Sequence, residues 1–217
     1  MTTVYLIRHS VRMPLNVIES INTNQDNTVL SEKIILSVEG EKRAQLLSEK
    51  KELQNIDTVY TSNCVRTLQT AKYIIEKQNL KVNIDERLNE RKKDPFTKIH
   101  DFKEQFYNEN FKPINGESQL EVKNRFDEAF QEIINKHKNK RIIIFSHGYA
   151  IIFFLLKYCE LIEVKDDQTI TLKYNKKIIF NKKINAPEVF KLTLNDDKLE
   201  NIELIEFDDI KYNKGVK

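Results

Sequence analysis

Two runs of consecutive apolar residues, Val4-Tyr5-Leu6-Ile7 and Ile142-Ile143-Ile144-Phe145, set the strongest constraint on the fold. Neither alternates with polar residues, so each reads as a strand buried on both faces, the kind that fills a parallel sheet covered by helices. Each run stops at polar and small residues, Arg8-His9-Ser10 after the first and Ser146-His147-Gly148 after the second. Chemistry in open α/β sheets collects at the carboxyl ends of such strands. Histidines and an arginine at those ends point to a site that handles an anion.

Strand and helix signals alternate along the remaining chain. A helix is expected to open near Ser37 and to carry Ala44 and Leu47 on one side. A short strand over Thr58 to Ser62 should run into a helix through Leu68, Ala71 and Ile74, with a weaker strand from Leu80 to Ile84. Ser118 and Glu121 form a Ser-x-x-Glu capping box that starts a helix through Phe126, Phe130 and Ile133. Gly148 leads into an apolar helix. The polar stretch from Val11 to Ile35 reads as a loop, and residues 91–116 as an insertion over the site with one short helix. Beyond Thr169, apolar runs at Ile170 to Leu172, Ile178 to Phe180, Val189 to Leu194 and Ile202 to Ile205 read as strands, partly antiparallel, with Lys211 to Lys217 a frayed tail. The expected architecture is a single α/β domain over residues 1–217, three-layered, with a mainly parallel central sheet and helices on both faces.

Charge excludes some functions. Lys+Arg 36 against Asp+Glu 33 gives a net +3, so no general attraction to nucleic acid or membrane is expected. No apolar run approaches the roughly 20 residues that span a bilayer, and the expectation is a cytoplasmic protein. Cys64 and Cys159 lack metal-type spacing and read as small buried hydrophobes.

Four blocks, taken in order, resemble the histidine phosphatase superfamily in its phosphoglycerate mutase-like branch. Leu6-Ile7-Arg8-His9 resembles the Arg-His-Gly signature that carries the family's nucleophile. Tyr60 to Ala71, with Arg66, Gln69 and Thr70, resembles its Ser-Pro-Leu-x-Arg-Ala-x-Gln-Thr-Ala block. Asp85-Glu86-Arg87-Leu88-Asn89-Glu90 resembles the Leu-x-Glu block that supplies an acid, and Ser146-His147-Gly148 the closing Ser-His-Gly. Leu36 to Gly40 and Gly116-Glu117-Ser118 with Arg125 are weaker echoes. Ser10 stands where the family has glycine, and the mutases' Gly-Glu-Ser-x-x-Asn is replaced by Ser10-Val11-Arg12-Met13-Pro14-Leu15-Asn16.

The chemistry of these residues agrees with the resemblance. A neutral imidazole nitrogen attacks phosphorus, and the phosphohistidine formed is labile to water. Phosphoryl transfer spreads negative charge over equatorial oxygens that need preorganised positive donors. With no carboxylate cluster to hold a metal, Arg8 and Arg66 are expected to grip the phosphate. His147 would add a third donor, as an imidazolium or with its ring proton aimed at the phosphate. Glu90 is the candidate general acid, and later the base for water, with Asp85 and Glu86 as rivals. Arg12, Asn16, Arg91 and Gly148 are candidate substrate contacts. His100 and His137 read as solvated. The expectation is a phosphatase for a small phosphorylated substrate, working through phospho-His9 without metal or cofactor. The alternatives are a cofactor-dependent phosphoglycerate mutase and a non-catalytic module that binds phosphorylated ligands. Oligomeric state is left open by the sequence.

Overall fold

A computed structural model of the protein describes residues 1–14, 27–93 and 102–207. In chain order its elements are β1 (Thr2–Arg8), α1 (Asn27–Lys33), α2 (Val38–Ser48), β2 (Thr58–Thr61), α3 (Val65–Gln78), β3 (Val82–Ile84), α4 (Glu104–Tyr107), α5 (Gln119–Lys136), β4 (Arg141–Ser146) and α6 (Gly148–Leu155). They are followed by β5 (Glu160–Val164), β6 (Ile170–Tyr174), β7 (Lys177–Lys182), β8 (Glu188–Asn195) and β9 (Lys198–Ile205).

The central sheet has six strands in the order β3-β2-β4-β1-β8-β9. β3, β2, β4 and β1 run parallel, and β8 and β9 extend the sheet antiparallel. Alternate residues of the inner strands feed opposite cores, as a two-sided strand requires. Tyr5, Ile7, Ile143 and Phe145 pack with Leu47 of α2 and Ala71 and Ile74 of α3. Val4, Leu6, Ile142 and Ile144 pack on the other face with Phe126 and Phe130 of α5 and Phe153 and Phe154 of α6. The expected three-layer, mainly parallel α/β architecture is therefore observed. No described helix is long and apolar enough to cross a membrane.

Local signals explain the element ends. Ser37 caps α2 by accepting from the Gly40 N–H, and Ser118 with Glu121 forms the complete capping box of α5. The chain has only 4 glycines. Asparagine takes over left-handed positions at Asn55, Asn79, Asn115, Asn139 and Asn175, a conformation its short polar side chain tolerates. Both cysteines are free and buried.

Three features differ from the sequence reading. α1 occupies part of the stretch expected to be a loop; its seven residues, NTVLSEK, are too few and too polar to show a helical period. β5 was not anticipated, because Glu160, Ile162 and Glu163 are exposed and leave no buried alternation. β5, β6 and β7 then form a separate three-stranded sheet in the order β5-β6-β7, while only β8 and β9 join the central one. Asn16, His100 and the 211–217 tail lie outside the described residues.

Gly40 ties the segment after β1 to α2. A Cβ there would lie 2.0 Å from the Val11 carbonyl oxygen. That carbonyl accepts from the Ser37 N–H at 2.9 Å and the Ser37 hydroxyl at 3.1 Å. Gly40→Ala should therefore destabilise the fold by ~1–3 kcal/mol, the scale of core overpacking, although alanine is the better helix former. A urea midpoint equal to or above wild type would contradict this close approach.

Candidate active site

The register of β1 against β4 pairs Leu6 with Ile144 and Arg8 with Ser146. His9 and His147 therefore leave the two strands side by side. The His9 N–H donates to the Ser146 carbonyl at 2.9 Å, and the two imidazole centroids lie 5.2 Å apart. Next to β4 lies β2, which delivers Ser62, whose N–H donates to the Phe145 carbonyl at 3.1 Å. Beyond β3, one turn of 3₁₀ helix (Glu86–Leu88) carries the chain to Glu90.

Hydrogen bonds fix both histidine tautomers. His9 Nδ1 lies 2.7 Å from the Ser10 carbonyl, an acceptor only, so Nδ1 holds the proton and Nε2 keeps its lone pair. Arg66 Nη2, a donor only, lies 3.0 Å from His147 Nδ1, which must therefore accept. His147 Nε2–H then donates to Ser62 Oγ at 2.8 Å. Ser62 passes its own proton to Thr67 Oγ1 at 2.7 Å, since the Thr67 hydroxyl donates to the Cys64 carbonyl at 2.7 Å. Burial and then the charges of Arg66 and Arg8 push the His9 pKa well below its usual value. Burial and then Arg66 do the same to His147.

His147 is held from both sides of its ring. Both its ring nitrogens are engaged, the ring is fully buried, and its environment opposes an imidazolium. In this arrangement it accepts from Arg66 and helps to hold that side chain.

An open cavity of about 290 Å³ lies in front of these residues, bordered by Arg8, His9, Arg12, Arg66, Glu90 and Tyr149. Arg8 Nη1 is anchored on the carbonyls of Ile184 and Asn185 at 2.7 and 2.9 Å, and Arg66 Nη1 on the Ser31 carbonyl at 2.6 Å. The Nε–H groups of Arg8 and Arg66 are buried and have no protein acceptor among the described residues. Buried donors without acceptors in a cationic cavity are suited to the oxygens of an oxyanion. Arg12 also borders the cavity; burial and then Arg66 and Arg8 lower its pKa. Lys93 sits on the same wall, its pKa lowered mainly by burial.

Glu90 reaches the cavity from below α6. Its Oε1 accepts from the N–H groups of Arg91 and Ala150, each at 3.0 Å, while Oε2 has one long contact of 3.4 Å to the Tyr149 N–H. The segment carrying it is clamped by Arg125, which donates to the carbonyls of Arg87, Asn89 and Glu90 and pairs with Glu117. Ser146 Oγ adds a bond to the Leu88 carbonyl at 2.7 Å. The rival carboxylates lie elsewhere. Asp85 is bound to Arg87 at 2.7 Å, Glu86 is exposed, and neither borders the cavity.

The remaining candidates divide. Arg91 borders the cavity, but its guanidinium is committed to the Glu117 and Phe111 carbonyls and to Gln105. Gly148 makes room for Arg8, whose Nε would lie 3.3 Å from a Cβ at that position. His137 is bonded to the Tyr60 hydroxyl at 2.9 Å, at the far end of α5. Tyr149 was not anticipated. It borders the cavity directly after the Ser-His-Gly block, and burial and then Glu90 push its phenol pKa up to about 12. Ser31 and Ile34 come from the stretch read as a loop and carried no sequence signal.

Comparison with known proteins adds four findings. The family model of the histidine phosphatase superfamily (branch 1) matches residues 4–177. Phosphoserine phosphatase 1 of Hydrogenobacter thermophilus is 28% identical over 141 residues, covering 59% of this chain and 65% of that protein, just under two thirds of its length. "Probable phosphoglycerate mutase GpmB" of Yersinia enterocolitica is 28% identical over 162 residues, covering 70% and 72% of the two chains. Among solved structures, Bacillus stearothermophilus YhfR shares the fold, with a TM-score of 0.66 at 21% identity over 92% of this chain and 95% of that one.

The depressed histidine pKa values set a pH dependence of stability. An unfolded histidine binds its proton near ~6.5, whereas folded His9 and His147 bind theirs only at lower pH. Below ~6.5 the unfolded chain thus holds more protons, and stability falls with falling pH until the folded values are reached. The urea midpoint should drop below ~6.5, and less steeply in His9→Asn than in wild type. Parallel slopes for the two proteins would show that His9 is not buried as a neutral ring.

Proposed function

The chain belongs to the histidine phosphatase superfamily, branch 1, and we propose that within it this protein is a metal-independent hydrolase of a small phosphomonoester. The observation that carries this reading is the His9 tautomer. Its Nε2 lone pair is free for attack while Nδ1 is tied to the Ser10 carbonyl. In the first step Nε2 forms a bond to phosphorus and the ester P–O bond breaks. Arg8 and Arg66 stabilise the charge on the transferring group, and the leaving alkoxide takes a proton from Glu90. Oε2 of Glu90, with only one long N–H contact, is the oxygen suited to deliver it. In the second step Glu90 takes a proton from water, the oxygen attacks phosphorus, and the N–P bond breaks to return neutral His9 and inorganic phosphate.

Hydrolysis is favoured over mutase activity by Arg91. This arginine beside the general acid is spent on protein acceptors and is not available to hold a sugar acid between two phosphoryl transfers. The small phosphorylated substrate and the two free cysteines are in keeping with a cytoplasmic setting.

His9→Ala should abolish phosphate release and leave no phosphoryl group on the protein after a denaturing quench. The wild type should retain an acid-labile, base-stable one. Full wild-type activity in EDTA, without a bisphosphoglycerate primer, is expected because arginines supply the positive charge. Loss of activity in EDTA restored by a divalent cation, or dependence on the primer, would remove this reading.

Glu90→Gln tests the proton donor through the leaving group. An alkoxide needs a proton in the transition state, whereas p-nitrophenolate leaves without one. The variant should lose ~10²- to 10⁴-fold on an alkyl phosphate and little on p-nitrophenyl phosphate. Equal losses on both esters would mean that Glu90 shapes the site without donating the proton.

A further inference from the structure

A second chamber opens beside the catalytic cavity, with a volume of about 120 Å³. It shares Arg8, Glu90 and Tyr149 with the main cavity but is not bordered by His9, Arg66 or Arg12. That division has a chemical meaning if the hydrolase reading above holds, on which this inference rests. In an in-line displacement the nucleophile and the leaving oxygen stand on opposite sides of phosphorus. A space that touches the proton donor and one phosphate-gripping arginine, but not the nucleophile, lies on the leaving side.

The walls define what can occupy it. Phe102, Tyr149, Ile170 and Ile184 supply aromatic and aliphatic surface, while Arg8, Glu90, Gln168 and Lys183 add polar groups, and the larger part of the exposed lining is polar. The Phe102 and Tyr149 rings lie 6.2 Å apart between centroids, and both pack on Phe106, which is buried. Lys183 is exposed and its ammonium is 3.8 Å from Asp167. The chamber's volume is near the ~150 Å³ that admits benzene in a wholly apolar cavity, and its mixed lining suits one ring or a short branched chain that also carries a polar group. Gln168, Ile170, Lys183 and Ile184 come from the small β5-β6-β7 sheet and the segment that follows it. The supplementary sheet thereby gains a function, as one wall of the active site.

We infer that this chamber binds the organic half of the substrate, and that the substrate is the phosphate ester of a compact alcohol with an apolar body of about one ring and a polar or anionic substituent facing Lys183. Phosphonates test this without turnover, since their C–P bond is not cleaved. By titration calorimetry the wild type should bind benzylphosphonate at least ~10-fold more tightly than methylphosphonate. Phe102→Ala should lower that ratio by ~5-fold, the scale of a lost aromatic contact. Damage to the phosphate site would weaken both ligands alike and leave the ratio intact. Lys183→Glu, an exposed substitution, provides a second measurement. The wild type should favour 4-carboxybenzylphosphonate over benzylphosphonate, and the variant should reverse the order. Equal wild-type affinities for the benzyl and methyl ligands, or ratios unchanged in both variants, would overturn the inference. A wild type that hydrolyses p-nitrophenyl phosphate yet shows no benzyl preference would remove the chamber's role and leave the hydrolase standing. One that shows the preference yet releases phosphate from no monoester would do the reverse.

Discussion

The site depends on the parallel register between β1 and β4. Because Arg8 lies opposite Ser146, the chain leaves both strands at the same level, and His9 and His147 emerge as neighbours. A slip of one residue would turn every side chain of β1 to the opposite face. Tyr5 and Ile7 would exchange cores with Val4 and Leu6, so the packing that stabilises the sheet also holds the histidines in place. His9 is thus positioned by the whole core and not by a flexible loop.

Bringing arginines and histidines together away from water is costly unless each charge is met. The fold meets it in two ways. Arg8 and Arg66 rest part of their guanidinium on backbone carbonyls from distant segments, at Ile184 and Asn185 and at Ser31. The histidines remain neutral, and a directed chain from Arg66 through His147, Ser62 and Thr67 to the Cys64 carbonyl gives each proton one place. The buried Nε–H groups of Arg8 and Arg66 have no acceptor among the described residues, and both side chains border the cavity. Donors held in this way would need little reorganisation to meet negative charge developing in the cavity.

What the sequence made legible follows how locally each feature is encoded. The buried strands, the capping box and the helix after Gly148 are written in contiguous residues, and the structure has them in place. Sequence put Glu90 ahead of Asp85 and Glu86 only through its block, because the contacts that set it apart are non-local: Arg87 draws Asp85 away and α6 offers its first N–H groups to Glu90. The commitment of Arg91 to Gln105 and to the Glu117 and Phe111 carbonyls is equally non-local. α1 and β5 were missed for a different reason. α1 is seven mostly polar residues and β5 is five mostly exposed ones, so neither carries a period that the sequence could show.

Glycine usage shows which departures from a family pattern this site can absorb. Ser10 occupies a position where relatives of this kind have glycine, yet its φ is not positive and it does not border the cavity. Its N–H donates to Thr70 Oγ1 at 2.9 Å, which binds the backbone into α3 whatever the side chain. The backbone there needs no glycine. Gly40 and Gly148 are constrained by contact instead: one lets α2 approach the Val11 carbonyl, and the other leaves space for the Arg8 side chain. Among the described residues, left-handed positions go to five asparagines and to Gln168, Lys176 and Asp196, while Gly40 and Gly148 stand where two backbone segments or a backbone and a guanidinium must touch. Close approach, and not conformational freedom, is the property of glycine on which this active site relies.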